Sequence, residues 1–192
     1  TGIINEYVLA NEIFQDVVNN TGDALLKAEG KIKGMQTGSD TGPVIAIEPF
    51  DLDTFPKTTR VDFGSGTLCE DGIIRRGVIT IVSTGWYGQF GSSHTTTFNN
   101  FYHDIFKVEG KQVVENWGQN PEDYLIFGVT VEGGNVTSNN GVNIIFDESS
   151  NRTWIAGSES PFNIWDNEYL LEGTQWGDSS DGTFYLVAFE PP

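Results

Sequence analysis

The chain has 192 residues, enough for one ordinary domain with a real core and too few for two well-stabilised ones. With 38% hydrophobic and 12% aromatic residues it buries enough apolar surface to exclude wholesale disorder. Its formal charge of −17, from 27 acidic against 10 basic residues, disfavours nucleic acid, because phosphate binding needs lysine or arginine to displace counterions.

From position 4 to 27, Tyr7, Ala10, Phe14, Val17, Val18, Thr21 and Leu25 recur at spacings of three and four, which predicts an amphipathic helix. Asn19-Asn20-Thr21-Gly22 predicts a kink or break there, with Asp23 capping a short second helical segment. Gly30, Gly34, Gly38, Gly42, Pro43, Pro49 and Pro56 then punctuate a loop-rich stretch with one short strand at 44–47. Beyond position 58, β-branched and aromatic runs alternate with Gly, Asn and Asp turns. They predict strands at 60–63, 73–83, 94–108, 111–117, 124–131, 142–146, 152–157, 168–174 and 183–189. Glu109-Gly110 and Asn140-Gly141 read as tight hairpin turns.

The expected fold is mainly β: an antiparallel β-meander packed against an N-terminal α-helix, as a single curved sheet, a sandwich or an open barrel. One domain spans 1–192, with the helix at 1–30, the loop-rich connection at 31–57 and the sheet region at 58–192. No apolar run approaches the roughly 18 residues of a membrane span. Cys69, the single cysteine, forms no internal disulfide.

Chemistry-bearing residues are sparse. His94 and His103 are the only histidines, and neither H-E-x-x-H nor a Cys/His zinc spacing occurs. No G-x-S-x-G elbow is present, so Gly64-Ser65-Gly66 and Gly91-Ser92-Ser93 read as turns. Cys69 precedes Glu70 and Asp71, acidic neighbours that suit a structural rather than a nucleophilic role. Asp62, Glu70, Asp71, Asp166 and Glu168 are candidate acids for glycoside chemistry, although in so acidic a chain chance supplies such pairs. Trp86, Tyr87, Trp117 and Trp154 are the candidate ligand-binding residues, with Trp165 and Trp176 as further exposed-aromatic candidates; core packing is the simpler reading of each. No cofactor is expected apart from calcium, for which Asp178 and Asp181 in a Gly-terminated loop are the candidate metal ligands; an ordinary turn explains the same residues.

The stretch Val61-Asp62-Phe63-Gly64-Ser65-Gly66-Thr67-Leu68-Cys69-Glu70-Asp71-Gly72, followed by Ile74-Arg75-Arg76-Gly77-Val78-Ile79, resembles a recurrent segment of an uncharacterised family of exported lipoproteins of Bacteroidetes bacteria. Asn100-Phe101-Tyr102, Val108-Glu109-Gly110, Arg152-Thr153-Trp154 with Gly157, and Gly182-Thr183-Phe184-Tyr185 extend the resemblance over most of the chain. It implies a periplasmic or outer-membrane surface lipoprotein, attached to the membrane only through a lipid anchor not present in this chain, and it carries over no catalytic residue. The expected function is a non-catalytic cell-envelope domain with a binding or scaffolding role, partnered by an envelope protein or a glycan. The alternatives are a carrier of lipid or another hydrophobic ligand in a half-barrel cavity, and a carbohydrate-binding or glycan-processing protein.

Overall fold

The computed structural model describes residues 2–37, 41–157 and 167–190. One helix, α1 (Gly2–Ile32), precedes strands β1 (Val44–Glu48), β2 (Lys57–Asp62), β3 (Thr67–Leu68), β4 (Ile74–Ser83), β5 (Ser93–His103), β6 (Phe106–Gln119), β7 (Leu125–Thr137), β8 (Asn143–Ala156), β9 (Glu168–Asp178) and β10 (Phe184–Phe189). Among the described residues the strands form a single antiparallel sheet in the order β1-β2-β4-β5-β6-β7-β8-β9-β10, with β3 paired to β4. The architecture is therefore the single-sheet form of the expected meander, open at β1 and β10.

Alternation sets the two faces of the sheet. In β4, Arg75, Ile79, Ile81 and Ser83 are buried while Arg76 and Val82 are exposed. The inward side chains meet Ala10, Ile13, Phe14, Val17, Val18, Ala24 and Leu25 of α1 in one core. Phe14 stacks on Phe146 at 5.0 Å between ring centroids, and a Cβ at Gly134 would lie 3.0 Å from the Phe14 ring and 2.1 Å from the Phe146 carbonyl oxygen. The neighbours Gln15 and Asp16 bond to Glu148 of β8 and Arg75 of β4. Those strands are four apart, about 19 Å across a flat sheet, so the sheet curls around a helix about 10 Å wide.

The helix does not break at Gly22. Asn20 donates its amide to Asp16, Thr21 hydrogen-bonds Thr96 of β5, and Gly22 admits the Tyr87 ring against the helix backbone. Asp23 is a mid-helix residue paired with Lys27 at 2.9 Å rather than a cap. The helix ends where Gly34 takes φ +72° and the Met35 amide closes on the Gly30 carbonyl, a glycine C-terminal stop.

The predicted hairpin at Glu109-Gly110 is also corrected. Gly110 lies inside β6 at a β-bulge, where its Cβ would meet Gly133 O and Gly134 Cα at 2.8 Å. The turn between β5 and β6 is instead at Asp104 and Ile105, next to the His103 and Phe106 pair, and Asp104 takes φ 57°. The predicted strand 94–108 is thus parts of two strands, and 142–146 and 152–157 belong to one long strand, β8. Asn140-Gly141 does turn the chain between β7 and β8, with the Ser138 amide bonded to the Val142 carbonyl and Gly141 at φ 95°.

Candidate functional site

The helix–sheet interface is unusually polar. Tyr7, Asn11, Gln15 and Asn19 lie four residues apart, hence on one stripe of α1, and each bonds to the inner face of β8 or β9. Tyr7 donates its hydroxyl to Gln175 Oε1 at 2.7 Å, and Gln175 donates back to Asn11 Oδ1 at 2.9 Å. Gln15 donates to the buried Glu148 carboxylate, which also accepts the Ser150 hydroxyl at 2.6 Å. Arg152 donates to Asn19 Oδ1 at 3.3 Å and packs over the Tyr169 ring at 4.0 Å. Burial holds the pKa of Arg152 below that of an ordinary arginine and raises those of Tyr87 and Tyr169. The sequence reading missed this stripe, whose signal was the four-residue spacing of amide and hydroxyl side chains.

On the opposite flank of the helix, Arg75 donates to Asp16 Oδ2 at 2.7 Å and to Asp71 Oδ2 at 2.5 Å. Burial opposes ionisation of Asp71, yet the Arg75 guanidinium and the Ile73 amide outweigh it and leave the carboxyl below its usual range. His103 Nδ1 lies 3.4 Å from the same Asp16 oxygen. Cys69 Sγ contacts its neighbour's carbonyl, Thr67 O, at 3.6 Å. His94 is fully buried between Ser83 at 2.7 Å and Ser92 at 3.1 Å, and burial drives its pKa down to about 4. This serine–histidine contact has no solvent-facing approach, and packing is its evident role. Asp62 is bonded to Arg60 and to the Gly64 amide at a strand end.

The four candidate aromatic residues do not form one platform. Tyr87 and Trp154 are 4% exposed and belong to the core; Tyr87 stacks on Phe127 at 4.8 Å, and Trp154 on Tyr169 at 5.9 Å. Trp86 packs edge-on to Phe55 and donates its indole N–H to Leu52 O at 3.2 Å, pinning the loop before β2. Trp117 alone of the four is well exposed, at 50%. Trp176 is half-buried, while Trp165 and Asp166 lie outside the described residues.

Trp117 forms one wall of an open cleft of about 360 Å³ whose other lining residues are Phe90, Gly91, Ser93, Glu115 and Asn116. Two glycines create it. A Cβ at Gly128 would sit 2.3 Å from the Trp117 indole, and one at Gly118 would sit 3.0 Å from the Phe90 ring, so both rings pack where a side chain would otherwise stand. The Trp117 indole N–H donates to Glu115 Oε2 at 3.2 Å, which fixes the ring and sets a carboxylate beside it. Phe90 is 76% exposed. Exposed aromatic rings lining a cleft with a carboxylate suit a ligand that offers C–H faces together with hydroxyl donors.

The loop carrying Asp178 and Asp181 is a closed turn. Asp181 Oδ1 accepts the Ser179 hydroxyl at 2.6 Å and the Thr183 amide at 2.9 Å, and these bonds lower its pKa to about 2. Among the described residues, no group of three or more His, Cys, Asp or Glu side chains is placed to hold a metal ion. Likewise, no helix is long and apolar enough to cross a membrane. Comparison with protein-family models, curated proteins and solved structures returns no match for this chain, so the residues themselves carry the functional reading.

Proposed function

We propose that this chain is a non-catalytic binding or scaffolding domain of a cell-envelope lipoprotein, using its outer surface rather than its interior. The observation that carries the reading is a division of labour among side chains. Arg75, Glu148, Arg152 and Gln175 are all buried and bonded between helix and sheet, and His94 is buried between Ser83 and Ser92, whereas the open cleft at Phe90 and Trp117 lies on the outside. The envelope setting rests on the resemblance of the 61–79 segment to exported lipoproteins. The half-barrel space that a hydrophobic carrier keeps for its ligand is occupied by Phe14, Val17 and Val18, which favours surface binding over a carrier role.

Carbohydrate recognition is the second reading, favoured by the Trp117, Phe90 and Glu115 arrangement. Both readings are tested by native mass spectrometry of the protein taken gently from its own envelope, followed by glycan titrations read by tryptophan fluorescence. A retained protein partner supports scaffolding. A glycan that shifts the fluorescence of the native chain and not of Trp117→Ala supports carbohydrate recognition. Measurable turnover of hydrolase substrates by clean protein overturns the non-catalytic reading.

A further inference from the structure

The cleft at Trp117 is rich in acceptors and aromatic rings and poor in donors. The Trp117 indole N–H is taken by Glu115 Oε2, while Glu115 Oε1 has no bonded partner among the described residues. Asn116 is 1% exposed and both ends of its amide are occupied, Nδ2 donating to Tyr87 O at 3.0 Å and Oδ1 accepting the Gly118 amide at 2.8 Å. The Gly91 amide donates to Asn116 O at 2.9 Å, and the Ser93 amide to Thr84 Oγ1 at the same distance. Of the side-chain donors in the lining, this leaves the Ser93 hydroxyl, which accepts as readily as it donates. A neutral sugar carries acceptors as well as donors, and this lining answers mainly the donors. The same bonds fix the frame: Gly118 at φ +89° and the bulge between Asn116 and Gln119 hold the end of β6 in one shape before a ligand arrives.

No cation of the chain answers the Glu115 carboxylate. Glu115 enters no salt bridge among the described residues, and its cross-strand partners, Ser93 on β5 and Gly128 on β7, carry no charge. The nearest basic residue along β6, Lys111, is about 13 Å away at four strand positions and is held by Glu132 at 2.7 Å. We infer that the cleft binds an organic ammonium ion. The Trp117 and Phe90 rings attract the cation and meet its C–H groups, and Glu115 neutralises its charge. The indole N–H bond to Glu115 pushes electron density into the ring and strengthens that attraction. The acidic surface, at −17 for the chain, draws cations of every kind, whereas the exposed rings select organic ones over hydrated sodium. Amino sugars and small quaternary amines share this chemistry, and anionic ligands are repelled.

This ligand class rests on the surface-binding reading of the cleft and fails separately from it. The isotope-labelled intact chain is titrated at about pH 6, where the glucosamine amine is protonated, with two matched pairs. Choline is set against its uncharged carbon isostere neohexanol, and glucosamine against N-acetylglucosamine. The readout is the indole N–H resonance of Trp117, assigned by its loss in Trp117→Ala. At least one ammonium ligand is expected to bind about tenfold or more tightly than its neutral counterpart, and added salt to weaken the charged ligand alone. Glu115→Gln, at an exposed position, keeps an acceptor for the indole and is expected to abolish the preference while leaving neohexanol binding unchanged. Preference for glucosamine alone assigns the cleft to amino sugars, preference for choline alone to quaternary amines, and preference for both to the ammonium charge itself. Equal binding within both pairs, a preference that survives Glu115→Gln, or shifts spread evenly over the acidic surface overturns the inference, as does no binding by any probe. N-acetylglucosamine bound as tightly as glucosamine still leaves carbohydrate recognition standing, and a protein partner retained in native mass spectrometry leaves scaffolding standing when no probe binds.

Discussion

The Arg75 guanidinium is 1% exposed and holds Asp16 of the helix and Asp71 of the turn before β4 at once. Removing the cation strands two carboxylates that are themselves mostly covered, a change costing about 3 kcal/mol when a buried ion pair loses one partner. Arg75→Met is therefore expected to lower unfolding free energy by about that amount in urea titration, with the sheet fold retained. His94 supplies a second, pH-dependent test. Its pKa falls from 6.5 to about 4 on folding because burial disfavours the charged ring, so below pH 6.5 the unfolded chain takes up a proton that the folded chain refuses. Stability from this residue is complete above pH 6.5 and drains away as pH falls towards 4. The loss between pH 7 and pH 5 is about 2 kcal/mol. Urea midpoints measured across that range should show it in the native chain, and His94→Gln should flatten the slope.

At the scale of elements, the helix shows what its residues announced and what they concealed. The three-and-four spacing of Ala10, Phe14, Val17, Thr21 and Leu25 was legible because apolar burial on one face is a local pattern. The continuity past Gly22 was not, since it depends on Tyr87 arriving from a distant loop to fill the space a side chain would take. Gly22→Ala gains about 1 kcal/mol of helix propensity but sets a Cβ 2.9 Å from the Tyr87 hydroxyl oxygen, against a ring backed by Phe127. Overpacking of this kind outweighs the gain, and a net loss of about 1–2 kcal/mol is expected in thermal or urea melts. Adding Tyr87→Phe removes the nearest atom and should restore part of it.

The strands teach a related lesson. Gly110 reads as a turn residue in sequence, yet it lies at a bulge inside β6, and Gly133 and Gly134 sit at a bulge that lets β7 run on. The turn at Asp104 contains no glycine and was hidden inside a predicted strand. The bulge at Gly133 and Gly134 shifts the alternation of β7, while β8 alternates without a break and its inner row mixes Ile144, Phe146, Glu148, Ser150, Arg152 and Trp154. A polar residue on that row reads as outward-facing until the helix stripe that satisfies it is placed opposite. For the same reason Trp154 and Trp117 could not be told apart as inner and outer aromatics from sequence alone.

Across the whole molecule, charge and chemistry are segregated. The interior holds bonded polar groups that fix how helix and sheet sit together, a role in which buried networks specify one arrangement more than they add stability. The outside carries a strongly acidic surface and the aromatic cleft beside Glu115. Binding at the surface requires α1 to be a permanent part of the core; carriage of a hydrophobic ligand requires it to open as a lid. Native-state amide hydrogen exchange with increasing denaturant separates the two most directly. The inner amides of α1 around Phe14 and Val17 are expected to exchange only through global unfolding, with the same free energy as those of β6, β7 and β8. Exchange of α1 at a distinctly lower free energy, while the sheet stays protected, would show a helix that opens on its own and would contradict the account.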